Sequence, residues 1–456
     1  MKSTSSVLPA LWTIFLCILL AIYAAAVLAY IFIETGKPLG SRDFHQFWYA
    51  GHFIIQGHDP YAAYFAGEQP KLPIDYLNGV TVNQYPVAQG DLAIIPSNTP
   101  LMLLLLTPFS YFSWTVAKWM VLVINLILML ITGWLVLRRV PFAGFKLSGM
   151  DELLIFLVYF DLSATRIAIE NGQTTLFVFL LMLLAVICAK RSWQIGGLAL
   201  GIALSKYSLS LPIFLFFLYK KNFKVLLLAI SIQIIGLLGI SVIGKNSPIV
   251  VAEENFRLFF ELFDQPGVHL ARFFESFTDN KLLTEIPVLI MTLLVFVPLF
   301  LWLRKNKSIT PATEEIIDFH LLTILFIWTM LVAYHRLYDT LILIYFFVLV
   351  WKGLAYPNLW KLNMRERWAL LTYLAITPLI LILPARLVDR VIPEYYGTVS
   401  DSVTTILFVI MLTISMLLLR RYLQAGQIEA TPQKMESHDL RNDPQRETQS
   451  GWTNHS

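Results

Sequence analysis

Long apolar runs alternate with short polar breaks along the chain, and the runs predict its fold. A hydrocarbon core about 30 Å thick asks for about 20 helical residues. By that ruler apolar segments stand near 9–33, 114–137, 151–169, 173–189, 195–218, 224–243, 285–303, 316–334, 337–352, 368–385 and 402–420. Residues 97–112 form a shorter, proline-bounded candidate. Inside a bilayer every backbone polar group must be satisfied within its own segment, and these runs are too long and too continuously apolar for barrel strands. The pattern predicts an all-α polytopic integral membrane protein of about ten to twelve spans, with one transmembrane domain over 1–425. Residues 426–456 turn polar and read as a disordered cytoplasmic tail.

Basic residues near span ends orient such a chain. Lys190-Arg191, Lys220-Lys221 with Lys224, Arg304-Lys305 with Lys307, the stretch Lys361 to Arg367, and Arg420-Arg421 all belong inside on this rule. Adding Arg138-Arg139 to that side means that 97–112 and 195–218 do not both cross as simple spans, which leaves one or both as re-entrant candidates. The stretch "GGLALGIALSKYSLSLPIFLFFLYKK" fits, with early glycines, Lys206 in the middle and Pro212 after it. Irregular backbone at membrane depth is tolerated only where protein or a wet cavity surrounds it. Residues 34–96, 244–284 and 386–401 then face outward, the first two long enough to fold as caps. In "HQFWYAGHFIIQG", Phe47, Trp48, Phe53 and Ile54-Ile55 share one helical face while Gln46 and His52 look away, as in a helix lying at the membrane interface.

Composition agrees: the 456 residues are 57% hydrophobic and 14% charged, which excludes an ordinary water-soluble domain. The first apolar run is too long for a signal peptide and reads as a retained helix. Cys17 and Cys188 show no CxxC or Cys/His spacing, so neither a disulfide framework nor a zinc site is indicated. The net charge of +4 implies no nucleic-acid partner.

Chemistry is concentrated where polar residues interrupt the apolar pattern. Asp43 follows the first span between Arg42 and His45. Its carboxylate can cap the next helix, or act as a base toward a hydroxyl. In "GHDPYAAY" a turn carries Tyr61 and Tyr64 as belt aromatics, and "NQYPVAQGD" offers Tyr85 to a sugar or simply ends a loop. "TRIAIENGQTTLF" sets Arg166, Glu170, Asn171 and Gln173 in hydrocarbon, where charge is costly unless it faces a cavity or a partner. An i,i+4 pair between Arg166 and Glu170 is the plain alternative. Lys206 can snorkel to the interface or hold a lipid phosphate. "AYHRLYDTLIL" places His335, Arg336, Tyr338 and Asp339 between two apolar helices, a set suited to a phosphate headgroup. Together these stretches describe an outward cavity with a carboxylate, several cations and aromatics able to stack on a sugar.

The run "DFHQFWYAGHFIIQGHDPYAAY", then "QYP", "ENGQTTLFVFLLMLLA", "GGLALGIALSKYSLSLPIFLFFLYKKNFKVLL" and "AYHRLYDTLIL", resembles the DUF2029 or glycosyltransferase family 87 group of the GT-C superfamily. The collinear blocks span 40 to about 345. The resemblance implies a GT-C-like bundle in a bacterial plasma membrane that moves a sugar, typically mannose, from a polyprenyl-phosphate donor to a lipid or glycan acceptor. It gives Asp43 as catalytic base. Arg166, Lys206, His335 and Arg336 are then candidates for the donor phosphate, and His45, Trp48, Tyr85, Asn171, Gln173, Tyr338 and Asp339 for sugar or acceptor. No metal is obligatory on this reading, although Asp43 beside a phosphate could coordinate a divalent cation. Two departures stand out: Val87 where the group has a second proline after "YP", and Tyr207 where it has proline after the lysine. A flippase for a lipid-linked sugar and a noncatalytic assembly subunit are the rival readings, and neither needs Asp43.

Overall fold

A computed structural model describes residues 7–37, 40–72, 95–96, 98–138, 146–263, 270–275, 278, 280–305, 311–333, 335–382 and 396–430. The expectation placed on Tyr85, and the parts of the 386–401 loop and 426–456 tail expectations that fall on 386–395 and 431–456, lie outside these residues; 396–401 and 426–430 are helical. All described elements are helical. The first set comprises α1 (Ala10–Gly36), α2 (Arg42–Ile55), α3 (Pro60–Phe65), α4 (Pro100–Leu106), α5 (Trp114–Arg138), α6 (Gly149–Asp161), α7 (Ser163–Glu170) and α8 (Thr175–Ala189). Next come α9 (Trp193–Ala203), α10 (Tyr207–Tyr219), α11 (Phe223–Gly244), α12 (Pro248–Phe263) and α13 (Leu270–Glu275). The chain closes with α14 (Lys281–Lys305), α15 (Pro311–Val332), α16 (Ile344–Ala355), α17 (Met364–Ile382) and α18 (Tyr396–Ala430).

By length and composition eight described helical segments are long and apolar enough to cross a membrane, the fold-back segment Trp193–Tyr219 counted among them, or nine if α7 and α8, bent by 113°, count as one broken span. The expected ten to twelve came from apolar runs that the chain divides differently. Of the 97–112 candidate, residues 98–112 fold back rather than cross: the Asn98 carbonyl accepts from Tyr61 at 2.5 Å, and at the far end the Phe112 carbonyl accepts from Trp48 Nε1 at 3.0 Å, so both ends lie by the α2–α3 region. A short helix and a 3₁₀ turn, Thr107–Tyr111, fill the segment.

Residues 193–219 form the re-entrant element. As a straight helix its 27 residues would be about 40 Å long. Yet Lys190, before it, pairs with Glu315 at 2.9 Å, and Lys220, after it, pairs with the adjacent Glu314 at 2.5 Å. Both ends therefore sit together, and the chain doubles back at the 3₁₀ turn Leu204–Lys206. α9 runs beside α11 in the same direction: a Cβ on Gly197 would stand 2.9 Å from Leu228, and one on Gly201 2.8 Å from Ile232. This Gly-x-x-x-Gly face brings the two backbones close, as small residues do between membrane helices.

The molecule has two chemically distinct ends. At one, ion pairs join helix termini: Arg138 to Glu152, Lys190 to Glu315, Lys220 to Glu314 and Asp318, and Arg421 to Glu366. At the other lie Asp43, Asp59, Lys206 and Asp339. There the link between α11 and α12 reaches Asp59 through Asn246 at 3.0 Å, and α12 reaches the Asn98 carbonyl through Asn255 at 3.2 Å while leaving Ile249, Phe256 and Phe260 exposed on an outer face. The helix that the sequence places at the membrane interface, α2, differs. Asp43 through Ile54 of α2 are all buried, because the 3₁₀ turn, α4 and α5 close around it, so α2 does not lie on the outer surface.

Gly201→Leu should force α9 off α11 and cost about 1–3 kcal/mol by overpacking. Thermal unfolding of the detergent-solubilised variant checks this, and an unchanged midpoint would show that the close helix contact is not needed.

Candidate active site

The elbow after α1 presents the first functional group. Ser41, at a left-handed φ of 59°, turns the chain into α2 and occupies the N-cap position without a side-chain cap bond. Asp43 lies in the first helical turn, and its buried carboxylate is held by side chains: Oδ2 accepts from Asn171 Nδ2 at 3.2 Å and from Gln173 Nε2 at 2.5 Å. The cap role weighed from sequence belongs to Ser41's position, not to Asp43. The Asn171 carbonyl in turn accepts from Phe44 N–H at 3.1 Å.

The turn between α7 and α8 makes this meeting possible. Gly172 has φ +67°, and a Cβ there would lie 2.7 Å from Phe44 Cβ and 3.2 Å from Ser41 Cβ. Only glycine suits both the backbone and the close approach of α2. Three residues on, Thr175 opens α8 and bridges to the second group of side chains.

That group centres on the hairpin tip. Lys206 Nζ donates to Asp339 Oδ1 at 2.5 Å and to Thr175 Oγ1 at 2.6 Å, and lies 4.6 Å from the centre of the Tyr338 ring. Thr175 Oγ1 donates to the same Asp339 oxygen at 3.0 Å. His335 is fully buried behind this pair, its Nδ1 3.5 Å from Asp339 Oδ2, and neither ring nitrogen makes a hydrogen bond among the described residues. A 3₁₀ turn, Leu337–Leu343, presents Asp339 at the start of the segment leading into α16.

A cavity of about 290 Å³ joins the two groups. Asp43, Gln46, Phe47 and Gln173 form one wall; Lys206, Arg336, Tyr338 and Asp339 form another; Tyr207, Leu211, Phe214 and Phe259 supply an apolar side. An ammonium has three N–H groups. Two of Lys206's are engaged by Thr175 and Asp339, which leaves one for a ligand. The cavity can thus offer a carboxylate to a hydroxyl at one end and cations to an anion at the other.

The remaining candidates are placed elsewhere. Arg166 does not line the cavity; it stands 3.9 Å from Glu170 and 5.5 Å from the Tyr30 ring centre, the i,i+4 arrangement that spacing alone suggested. His45 and Trp48 are buried in an aromatic cluster on the other side of α2, with His45 edge-on to Trp114 at 4.9 Å. Neighbouring Gln46 and Phe47 take the cavity wall instead. Sequence reasoning missed Thr175, which follows directly on the "ENGQT" stretch, and Phe259, which reaches the cavity from the distant α12.

A sequence profile for glycosyltransferase family 87 matches residues 97–336, more than half of the chain. The chain belongs to glycosyltransferase family 87. It is accordingly a membrane glycosyltransferase with several helices long and apolar enough to cross the bilayer. No curated protein and no solved structure matches it. Within this family 87 chain the matched stretch includes Asn171, Gln173, Lys206, His335 and Arg336, whereas Asp43, Tyr338 and Asp339 fall outside it and reach the same cavity through the fold.

Lys206 and Asp339 are both largely buried. Asp339→Ala should therefore cost about 3–5 kcal/mol, because it leaves a buried ammonium without its counter-ion. The double variant Lys206→Met with Asp339→Leu should regain much of that loss. Thermal unfolding of the two proteins is the check; equal midpoints for Asp339→Ala and wild type would show that the ion pair contributes no stability.

Proposed function

We propose that the protein transfers a sugar, mannose, from a polyprenyl-phosphate donor to a hydroxyl of a lipid or glycan acceptor. The observation that carries this reading is the placement of Asp43 and the Lys206–Asp339 pair on facing parts of one cavity. Asp43 takes the proton from the acceptor hydroxyl, the oxygen attacks the anomeric carbon, and the bond from that carbon to the phosphate oxygen breaks. Polyprenyl phosphate departs carrying the bonding electrons, its charge held by the free N–H of Lys206 and by Arg336. One displacement inverts the anomeric centre.

Asn171 and Gln173 aim the Asp43 carboxylate, and Asp339 with Thr175 aims Lys206. His335 acts through Asp339, and Arg166 braces α7 behind Asn171. Tyr338, Gln46 and Phe47 are placed to meet the sugar or acceptor. Cationic side chains offset the leaving phosphate, so no metal is obligatory.

The site end faces outward and the tail lies in the cytoplasm on this reading. Its support is the clustering of Lys190, Lys220 and Arg421, each in an ion pair, at the opposite end of the bundle, which suits a cytoplasmic face. The lipid tail of the sugar donor would reach the cavity from the bilayer along the apolar side lined by Leu211 and Phe214.

Purified wild-type protein, given labelled polyprenyl-phosphate-mannose and a membrane lipid extract, should form a labelled product with inverted anomeric configuration and should do so equally in EDTA. Retention of configuration would contradict the single displacement. Loss of transfer in EDTA with rescue by magnesium or manganese would place a cation in the mechanism. Transfer from a nucleotide sugar, and not from polyprenyl-phosphate hexoses, would overturn the choice of donor.

A further inference from the structure

Near the site end, α5 carries a lysine in a largely apolar helix, and it does not touch the cavity. Lys118 is 3% exposed, and among the described residues its ammonium meets one hydrogen-bond acceptor, the Lys37 carbonyl oxygen at 2.6 Å. Lys37 is the C-cap residue of α1. The last carbonyls of a helix have no partners within it and carry the negative end of its dipole, so a buried cation is well matched there. Burying an ammonium is costly, and neighbouring apolar residues could fill the space more cheaply. The elbow that this lysine holds offers a reason for its presence.

The same Lys37 carbonyl accepts the Gly40 N–H at 3.0 Å. Gly40 presses back on the end of α1 so closely that a Cβ there would strike the Glu34 and Thr35 carbonyl oxygens. Ser41 then adopts its left-handed conformation, and Asp43 follows two residues later. One side of the Asp43 site is thus fixed by the Asn171–Gln173 turn. The other is fixed by an elbow whose backbone is tied to α5 by the Lys118 ammonium, beside the Phe32–Trp119 ring contact between α1 and α5 and the packing of Phe44 on Trp114.

We infer that Lys118 is a positioning residue for Asp43: by clamping the α1 terminus to α5 it sets the direction in which α2 presents its carboxylate. This rests on the reading of Asp43 as the base. A displacement of about 1 Å at a reacting group can cost about 100-fold in rate. Removal of the clamp should therefore lower turnover while leaving the sugar-donor site, on α8, the 204–206 turn with α10, and residues 336–343, intact.

The test compares wild type, Lys118→Met, Lys118→Arg and Asp43→Asn as full-length proteins in detergent, with polyprenyl-phosphate-mannose as sugar donor and a membrane lipid extract as acceptor. Lys118→Met should lose about 10- to 100-fold in kcat, with KM and affinity for the sugar donor within about twofold of wild type. Lys118→Arg, which keeps a donor for the carbonyl, should recover most of the rate. Hydrogen exchange of Lys118→Met should quicken over 40–46 and stay unchanged over 171–176. If Lys118→Met does not fold, Lys118→Gln replaces it, with a tip too short to reach the carbonyl. Wild-type kcat and exchange in the Met or Gln variant, with Asp43→Asn inactive, would overturn the inference and leave the base reading standing. An active Asp43→Asn would overturn the base reading itself, and with it the inference.

Discussion

At the tip of a helical hairpin, inside an apolar bundle, the ammonium of Lys206 meets the Asp339 carboxylate at 2.5 Å, and this pair ties together three parts of the chain. A charge at such depth must be compensated. The need draws the α9–α10 hairpin, the start of α8 through Thr175, and the turn before α16 to one point. The Asn171–Gln173 turn immediately before Thr175 is thereby placed, and it reaches Asp43 on the far side of the cavity. Compensation of one cation therefore organises a site that holds a carboxylate and cations within a single space.

Much of the frame was legible in the sequence because a bilayer leaves the backbone few choices. Apolar length gave the helices, and the distribution of Lys and Arg gave a parity argument that required a fold-back near 97–112 or 195–218. Both segments turn out not to cross as single spans. Asn171, Gln173, Lys206 and Asp339, polar residues within or between apolar runs, are in or beside the cavity. The resemblance to family 87 was also correct, and the family match covers the central stretch of the chain.

What the sequence could not decide was the direction in which side chains point. His45 and Trp48 look like sugar contacts by residue type, yet Trp114, some 70 positions away, draws them into an aromatic cluster and turns Gln46 and Phe47 toward the cavity. Arg166 and His335 are charged or polar near the site, but local pairing with Glu170 and burial behind Asp339 keep both off its wall. Lys118 drew no notice because one lysine near the end of an apolar run is ordinary, and its meaning depends on a carbonyl from another helix. An all-buried α2 likewise follows from partners on the 3₁₀ turn, α4 and α5 that no local pattern encodes.

The central claim is a division of labour in one cavity, with Asp43 acting on the acceptor and Lys206 on the phosphate of the sugar donor. Binding of polyprenyl-phosphate-mannose and transfer of its sugar, measured in parallel on Asp43→Asn and Lys206→Met, test that division directly. The account predicts that Asp43→Asn binds the sugar donor as wild type does and transfers nothing above background, while Lys206→Met loses affinity for it. Transfer by Asp43→Asn at the wild-type rate would contradict the account.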